Sequence, residues 1–210
     1  MLAGKPLIAW TIEAALRCPA VDRVVVSTDD AEIAAIARAH GAETPFLRPS
    51  ALARDDTPTM PVVIHALQWL KDEEGYRPAA LVLLQPTSPL RTAEDITGAM
   101  ALAKERSADS VVSVTVAPSH PHLAKRITAD GRLEDFMDHP QVERRQDLEP
   151  VYALNGAIYL VRSEHLMEKQ TFYGPKTYAY VMPPERSLDV DTDWDLHLCD
   201  LILKDRHGRD

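Results

Sequence analysis

The residues best suited to chemistry fall in four short polar segments. In SLDVDTDWD (187–195), Asp189 and Asp191 stand two apart in a stretch that reads as extended, so both carboxylates point to one side. Two hard oxygen donors at that spacing suit Mg²⁺ beside a nucleotide, because this ion takes one or two carboxylates and phosphate oxygens and keeps several waters. The same acids also have a structural use, with Asp191 capping the next helix and Asp193 and Asp195 complementing its dipole. Asp189 lies outside that helix and has no capping use.

The segment LLQPTSPLR (83–91) follows a buried strand, at the sheet edge where open α/β folds bind ligands. Gln85, Thr87 and Ser88 offer neutral hydrogen-bonding groups there, and Arg91 offers a planar cationic fork for a carboxylate or phosphate. Equally, Thr87, Ser88 and Pro89 can simply turn the chain and cap the helix starting near Thr92. The loop LRPSALARDDTPT (47–59) brings Arg48, Thr57 and Thr59, which can meet a phosphate or a base edge, or form a solvated connector. In ERRQDLEPVYALNGAIYL (143–160), Arg144, Arg145, Asn155 and Tyr159 form the rim of a site for a polar anion, or a surface ion-pair cluster. Tyr159 lies four residues beyond Asn155, which puts both on one face of a regular strand.

The elements that must position these segments alternate between two periodicities. Helical spacing marks 7–17, 31–40 (stopped by Gly41), 59–74 (entered through Pro61), 92–106 and 192–206. Short apolar runs at 22–28, 43–47, 79–85, 110–116, 155–162 and 177–182 read as strands, several buried on both faces. Strand–helix–strand alternation implies a parallel sheet covered by helices on both sides. The pattern breaks at about Pro118. Residues 118–150 hold a hairpin, AKRITADGRLEDF, turning at Asp130-Gly131, and read as an insert or a subunit contact within a single domain spanning 1–210. The chain enters its first helix with no strand before it, whereas a doubly wound sheet normally opens on one.

Composition narrows the function. A net charge of −9 opposes a nucleic-acid surface, which needs a basic face. No apolar run approaches the ~20 residues that span a bilayer, and Glu13 interrupts the first apolar stretch, so neither a membrane span nor a signal peptide is predicted. Two cysteines, Cys18 and Cys199, form no disulfide framework and lack metal-ligand spacing, which fits a cytoplasmic protein. His120 and His122 have no partnering cysteine or HExxH pattern, and no GxSxG or GxxxxGKS motif occurs.

Taken in order, GKPLIAWTIEAAL, VVVSTDDAEIAAIARAHGAE, RPSALARDDTPT, LLQPTSPLR, RRQD, NGAIYLV and SLDVDTDWDL resemble the acylneuraminate cytidylyltransferases, the CMP-sialic acid synthetases and their relatives acting on legionaminic and pseudaminic acids. The resemblance spans nearly the whole chain. It implies a nucleotide-diphospho-sugar transferase-like (Rossmann-like) α/β three-layer sandwich with a mainly parallel sheet and a small dimerisation insert, acting as a homodimer. It also implies transfer of CMP from CTP to a nonulosonic acid, with release of pyrophosphate. By the same resemblance, Arg48 and Thr59 contact CTP; Gln85, Arg91, Arg145, Asn155 and Tyr159 hold the nine-carbon sugar acid; and Asp189 and Asp191 bind the catalytic Mg²⁺. The related group that activates an eight-carbon acid carries a QGDEP-like motif where this chain has QPTSP.

The chain departs from the family pattern at its start. Relatives carry a first strand and a loop resembling ARxGSKxxxxKN before the LxGKPL segment, and that loop cradles the triphosphate. Without that strand, its two neighbours would stand about 9–10 Å apart, twice the interstrand spacing. Lost charge-assisted phosphate contacts cost roughly 1.5–3 kcal/mol each, so the 210-residue chain is expected to turn over poorly. Two alternatives stay open: a nucleotidyltransferase for another sugar acid, and a non-catalytic partner of a full-length enzyme.

Overall fold

The computed structural model describes residues 1–137 and 148–207. Helix α1 (Leu7–Leu16) is followed by α2 (Ala31–Ala39), whose start is fixed by Asp30: its carboxylate accepts from the amides of Glu32 (2.7 Å) and Ile33 (3.0 Å). Helix α3 (Thr59–Glu74) begins after Pro58 and carries Pro61 in its first turn, where no backbone donor is needed. Strand β1 (Ala80–Leu83) and helix α4 (Ala93–Arg106) come next, and Thr92 and Asp95 cap α4 reciprocally in a capping box. Strand β2 (Ser110–Val116) leads into the predicted hairpin, β3 (Lys125–Ile127) and β4 (Leu133–Asp135), with Gly131 at φ +85° in its turn. Strand β5 (Tyr152–Arg162), helix α5 (Ser163–Lys169), strand β6 (Thr177–Val181) and helix α6 (Asp193–His207) complete the chain.

The main sheet has the order β1-β5-β2-β6. Strands β1, β2 and β6 point the same way, while β5 runs against both of its neighbours. Helical connections lead from β1 to β2 and from β5 to β6. The chain reaches β5 through the hairpin excursion instead, so no helical crossover forces it to be parallel. The expected strands at 22–28 and 43–47 are extended, but they share a single parallel bridge, Val25–Glu43. The carbonyls of Val24 and Thr28 and the amide of Val26 bond the 43–48 segment. Val25 and Ser27, which face the other way, make no backbone hydrogen bond among the described residues.

Side chains alternate across the sheet into two apolar layers. Ile158 and Leu160 of β5 pack with Val111, Ala14, Ala15, Ile96 and Ala99, joining the sheet to α1 and α4. Tyr159 and Val161, with Leu81 and Leu83 of β1, pack on Val63 and Leu67 of α3 and Leu166 of α5. A third cluster seats α6 through Cys199 and Leu203 against Leu2 and Leu90, with Leu188 and Val190 laid over it. The result is a helix–sheet–helix sandwich. No helix among the described residues is long and apolar enough to cross a membrane.

Candidate active site

The 83–91 turn leaves the end of β1 and crosses above the middle of β5. There the strand contains Gly156, at φ +70°. A Cβ built on Gly156 would stand 2.7 Å from Gln85 Oε1, 3.2 Å from Asp189 Oδ2 and 3.5 Å from Ser88 Oγ. Three polar side chains from two remote segments thus converge over a position that only glycine fits comfortably. Gln85 and Asp189, chosen separately from the sequence, are thereby brought together.

Asp189 rides on an extended strap. The amide of Val190 donates to the Thr87 carbonyl at 2.8 Å, which ties the strap to the 83–91 turn. The carboxylate oxygen Oδ1 of Asp189 is buried and makes no hydrogen bond among the described residues. A carboxylate oxygen in that state is costly unless a cation or donor meets it. Asp191, two residues on, is exposed. It does not cap α6. Thr192 and Asp195 do, with the Thr192 amide and hydroxyl donating to Asp195 Oδ2 at 2.9 and 2.7 Å and the Asp195 amide donating to Thr192 Oγ1. Both aspartates therefore remain available as hard oxygen donors. Among the described residues no group of three or more acidic, histidine or cysteine side chains closes a full cation cage. An ion that completes its shell with phosphate oxygens and water needs none, so the donor set fits Mg²⁺.

Arg91 and Asn155 take a different place from the one the sequence suggested. Arg91 is 3% exposed, and its fork turns into the core. Its Nη1 donates to the Ala157 carbonyl (2.6 Å) and its Nη2 to Thr11 Oγ1 (2.8 Å), with longer contacts to the Gln85 carbonyl. Burial lowers its pKa to about 10, so it stays charged at neutral pH, and its Nε has no hydrogen-bond partner among the described residues. This guanidinium holds the backbone under Gln85 rather than facing a ligand. Asn155 is 4% exposed. Its Oδ1 accepts from Ser113 Oγ (2.6 Å), and its Nδ2 donates to Ser187 Oγ (3.0 Å) and lies 3.4 Å from Met182 Sδ.

Asn155 and Tyr159 do not share a face. Between the pairs Val112–Tyr159 and Val114–Leu154, β5 places four residues opposite the single Ser113. This wide bulge reverses the alternation, so Asn155 enters the α1/α4 layer and Tyr159 the α3/α5 layer. Tyr159 stacks at a tilt on Phe172, with ring centroids 5.4 Å apart. Its hydroxyl pKa is raised, first by burial and then by Tyr173 and Asp189, which places it within electrostatic reach of the Asp189 carboxylate.

Arg48 and Thr59 lie on other elements. Arg48 ends the 43–48 segment; its amide donates to the Thr28 carbonyl, and its guanidinium pairs with Asp29 at 3.6 Å. Thr59 is the exposed first residue of α3. Arg145 lies outside the described residues. Gly156, Ser113, Ser187, Asp95 and Arg186 escaped the sequence reading. Gly156 inside an apolar strand pattern was the one available signal of a bulge.

Residues 1–181 match the family profile described as Cytidylyltransferase. The chain is 38% identical over 211 residues to the CMP-N,N'-diacetyllegionaminic acid synthase of Legionella pneumophila, covering 97% of this chain and 88% of that protein. It is 34% identical over 209 residues to the N-acylneuraminate cytidylyltransferase of Escherichia coli O18:K1:H7, covering 99% of this chain but only 48% of that longer protein. Its fold superimposes on CMP:2-keto-3-deoxy-manno-octonic acid synthetase complexed with CTP with a TM-score of 0.70, at 16% identity, over 98% of this chain and 90% of the other. The matched region takes in β1, the 83–91 turn and the Gly156 bulge, and on these grounds the chain belongs to the cytidylyltransferase family.

Proposed function

We propose that the protein transfers CMP from CTP to a nonulosonic acid, releasing pyrophosphate. The observation that carries this reading is the convergence of Gln85 and Asp189 over Gly156, with one Asp189 oxygen buried and without a hydrogen bond among the described residues. The acceptor class follows from the legionaminic and N-acylneuraminic acid relatives. The anomeric hydroxyl of the sugar attacks the α-phosphorus, and the pyrophosphate oxygen leaves in line. Gln85 and Tyr159 orient the sugar, together with Arg145 by family resemblance. Arg48 and Thr59 hold the nucleotide. Arg91 and Asn155 act beneath this set by fixing the Gln85 backbone and the strap at Ser187. Asp189 and Asp191 hold a divalent cation, Mg²⁺, which when bound neutralises phosphate charge and aligns the leaving group.

The partner surface is the insert. Ile127 and Leu133 face each other across the hairpin and are 74% and 70% exposed. A two-stranded ribbon is marginal alone and gains from having such a pair covered, which supports a homodimer formed through this hairpin. Two buried free thiols, Cys18 and Cys199, and the proposed use of CTP support a cytoplasmic enzyme.

The test is pyrophosphate release from CTP with a panel of nonulosonic acids, with and without Mg²⁺. Release with one acid, abolished by chelation and by Asp189→Asn, is the expected result. Release that survives chelation, or that occurs only with a sugar acid outside the nonulosonic class, overturns the assignment.

A further inference from the structure

The strap that carries Asp189 is pinned by groups that touch neither substrate nor cation. Asp95, in the first turn of α4, is fully buried. It accepts from Arg186 twice, Nε to Oδ2 at 2.9 Å and Nη2 to Oδ1 at 2.8 Å, while also accepting from the Thr92 amide and hydroxyl. Such a bidentate pair fixes direction as well as distance. Arg186 closes the 3₁₀ turn Pro184–Arg186. At the next residue, Ser187 Oγ accepts from Asn155 and donates to the Pro183 carbonyl at 2.8 Å. Three residues beyond, Val190 bonds Thr87. Asp189 is thus held from α4, from β5 and from the 83–91 turn.

The pair has a second consequence. Arg186 is the cation three residues before Asp189, and a free guanidinium on that strap would compete with a divalent ion for the unbonded Asp189 carboxylate. Asp95 occupies the fork of Arg186 and raises its pKa, so the arginine is kept charged and engaged elsewhere. Leaving either member of a buried pair alone is costly, and here the cost would fall beside the reacting groups.

We propose that the Asp95–Arg186 pair is a positioning device that presents Asp189 to the divalent cation and keeps Arg186 away from it. This rests on the assignment of Asp189 as a cation ligand, and the test separates the two. Mn²⁺ alone, titrated into the full chain and followed by electron paramagnetic resonance, reads cation affinity without turnover; melting temperature is recorded for every variant. Asp189→Asn should abolish this Mn²⁺ site, and unchanged binding there overturns the ligand assignment itself. Asp95→Asn should weaken Mn²⁺ about tenfold, in the range seen when groups supporting a metal ligand are removed. Adding Arg186→Gln to Asp95→Asn removes the stray cation while the fork stays lost, so part of the roughly tenfold loss should be recovered, which a merely structural loss would not show. Arg186→Lys keeps the charge but loses the fork; it should weaken Mn²⁺ several-fold and serves if Asp95→Asn does not fold. Parent-like affinity in Asp95→Asn or in Arg186→Lys, or a double variant no better than Asp95→Asn, overturns the proposal while leaving Asp189 as a ligand.

Discussion

Replacing Gly156 with alanine separates the site's geometry from the stability of the fold. Two effects arise at once. The backbone at φ +70° disfavours any Cβ, at a cost of roughly 1–2 kcal/mol. The new methyl also stands 2.7 Å from Gln85 Oε1 and 3.2 Å from Asp189 Oδ2. Gln85 is a flexible side chain and can retreat cheaply, so the collision should displace the ligand-facing groups rather than unfold the sheet. The strain alone predicts a melting temperature lower by about 2–8 °C, taking about 2–4 °C per kcal/mol for a chain of this size. A displacement of about 1 Å at a reacting centre costs on the order of 10²-fold in rate, so kcat/KM for the sugar acid should fall by that amount. Gly131→Ala is the control. Its φ is +85°, but nothing among the described residues lies within 4 Å of its Cβ, so it carries the strain without the collision. The assay is pyrophosphate release and thermal unfolding for both variants. The reasoning is refuted if Gly156→Ala keeps parental kcat/KM, or if Gly131→Ala loses activity equally.

Arg91→Lys should lower stability by about 2–4 kcal/mol, because one ammonium cannot replace the contacts to Ala157 and Thr11 and charged hydrogen bonds contribute roughly 1.5–3 kcal/mol each; thermal melting measures it, and an unchanged melt with a raised KM for the sugar would put Arg91 on the ligand instead. Ile127→Glu with Leu133→Glu should convert a dimer to monomers in sedimentation velocity without changing the monomer's far-ultraviolet circular dichroism, and a persistent dimer removes the hairpin from the interface. The Arg23 hydrogen bond holds the Glu43 carboxyl below its usual value of 4.5, against a smaller opposing effect of burial. The folded state therefore binds that proton less readily than the unfolded one, and the contribution is present above pH 4.5 and lost as pH falls through the lower folded value. Urea titrations should show Glu43→Gln less stable than the parent at pH 7 by under about 1 kcal/mol, the pair being partly exposed. That gap should close in acid; one that widens there contradicts the sign.

Much of the scaffold was legible because it rests on local rules. Gly41 announces the end of helix α2 and Pro61 the first turn of α3 by rules that act within a turn, and Asp130-Gly131 announces a hairpin by its turn. Apolar runs located β1, β2, β5 and β6, most clearly β2, whose first five residues are buried: a strand buried on both faces needs no partner's sequence to be recognised. The runs at 22–28 and 43–47 have that composition too, yet they form one bridge. Strand formation needs a ladder on a neighbour, and composition reports burial rather than pairing.

The site was legible in its ingredients and not in its arrangement. Gln85 and Asp189 were recognisable because each sits where a polar group has weak structural excuse: at a strand end, or just outside a helix cap. Arg91 looked like the same kind of residue, since residue type and spacing cannot say which way a side chain turns. What decides it is tertiary, namely the Ala157 carbonyl and the Thr11 hydroxyl waiting beneath the turn. The pairing of Asn155 with Tyr159 failed for a sharper reason. A period of two transmits direction along a strand only while every residue has a partner. Four residues opposite Ser113 break that count, and Gly156 is the position whose φ lets them do so. The irregularity that defeats the periodicity is also what makes room for Gln85 and Asp189 to meet. A regular strand in its place would align Asn155 with Tyr159 as the spacing suggests, and would fill with a side chain the gap over which the two polar groups converge.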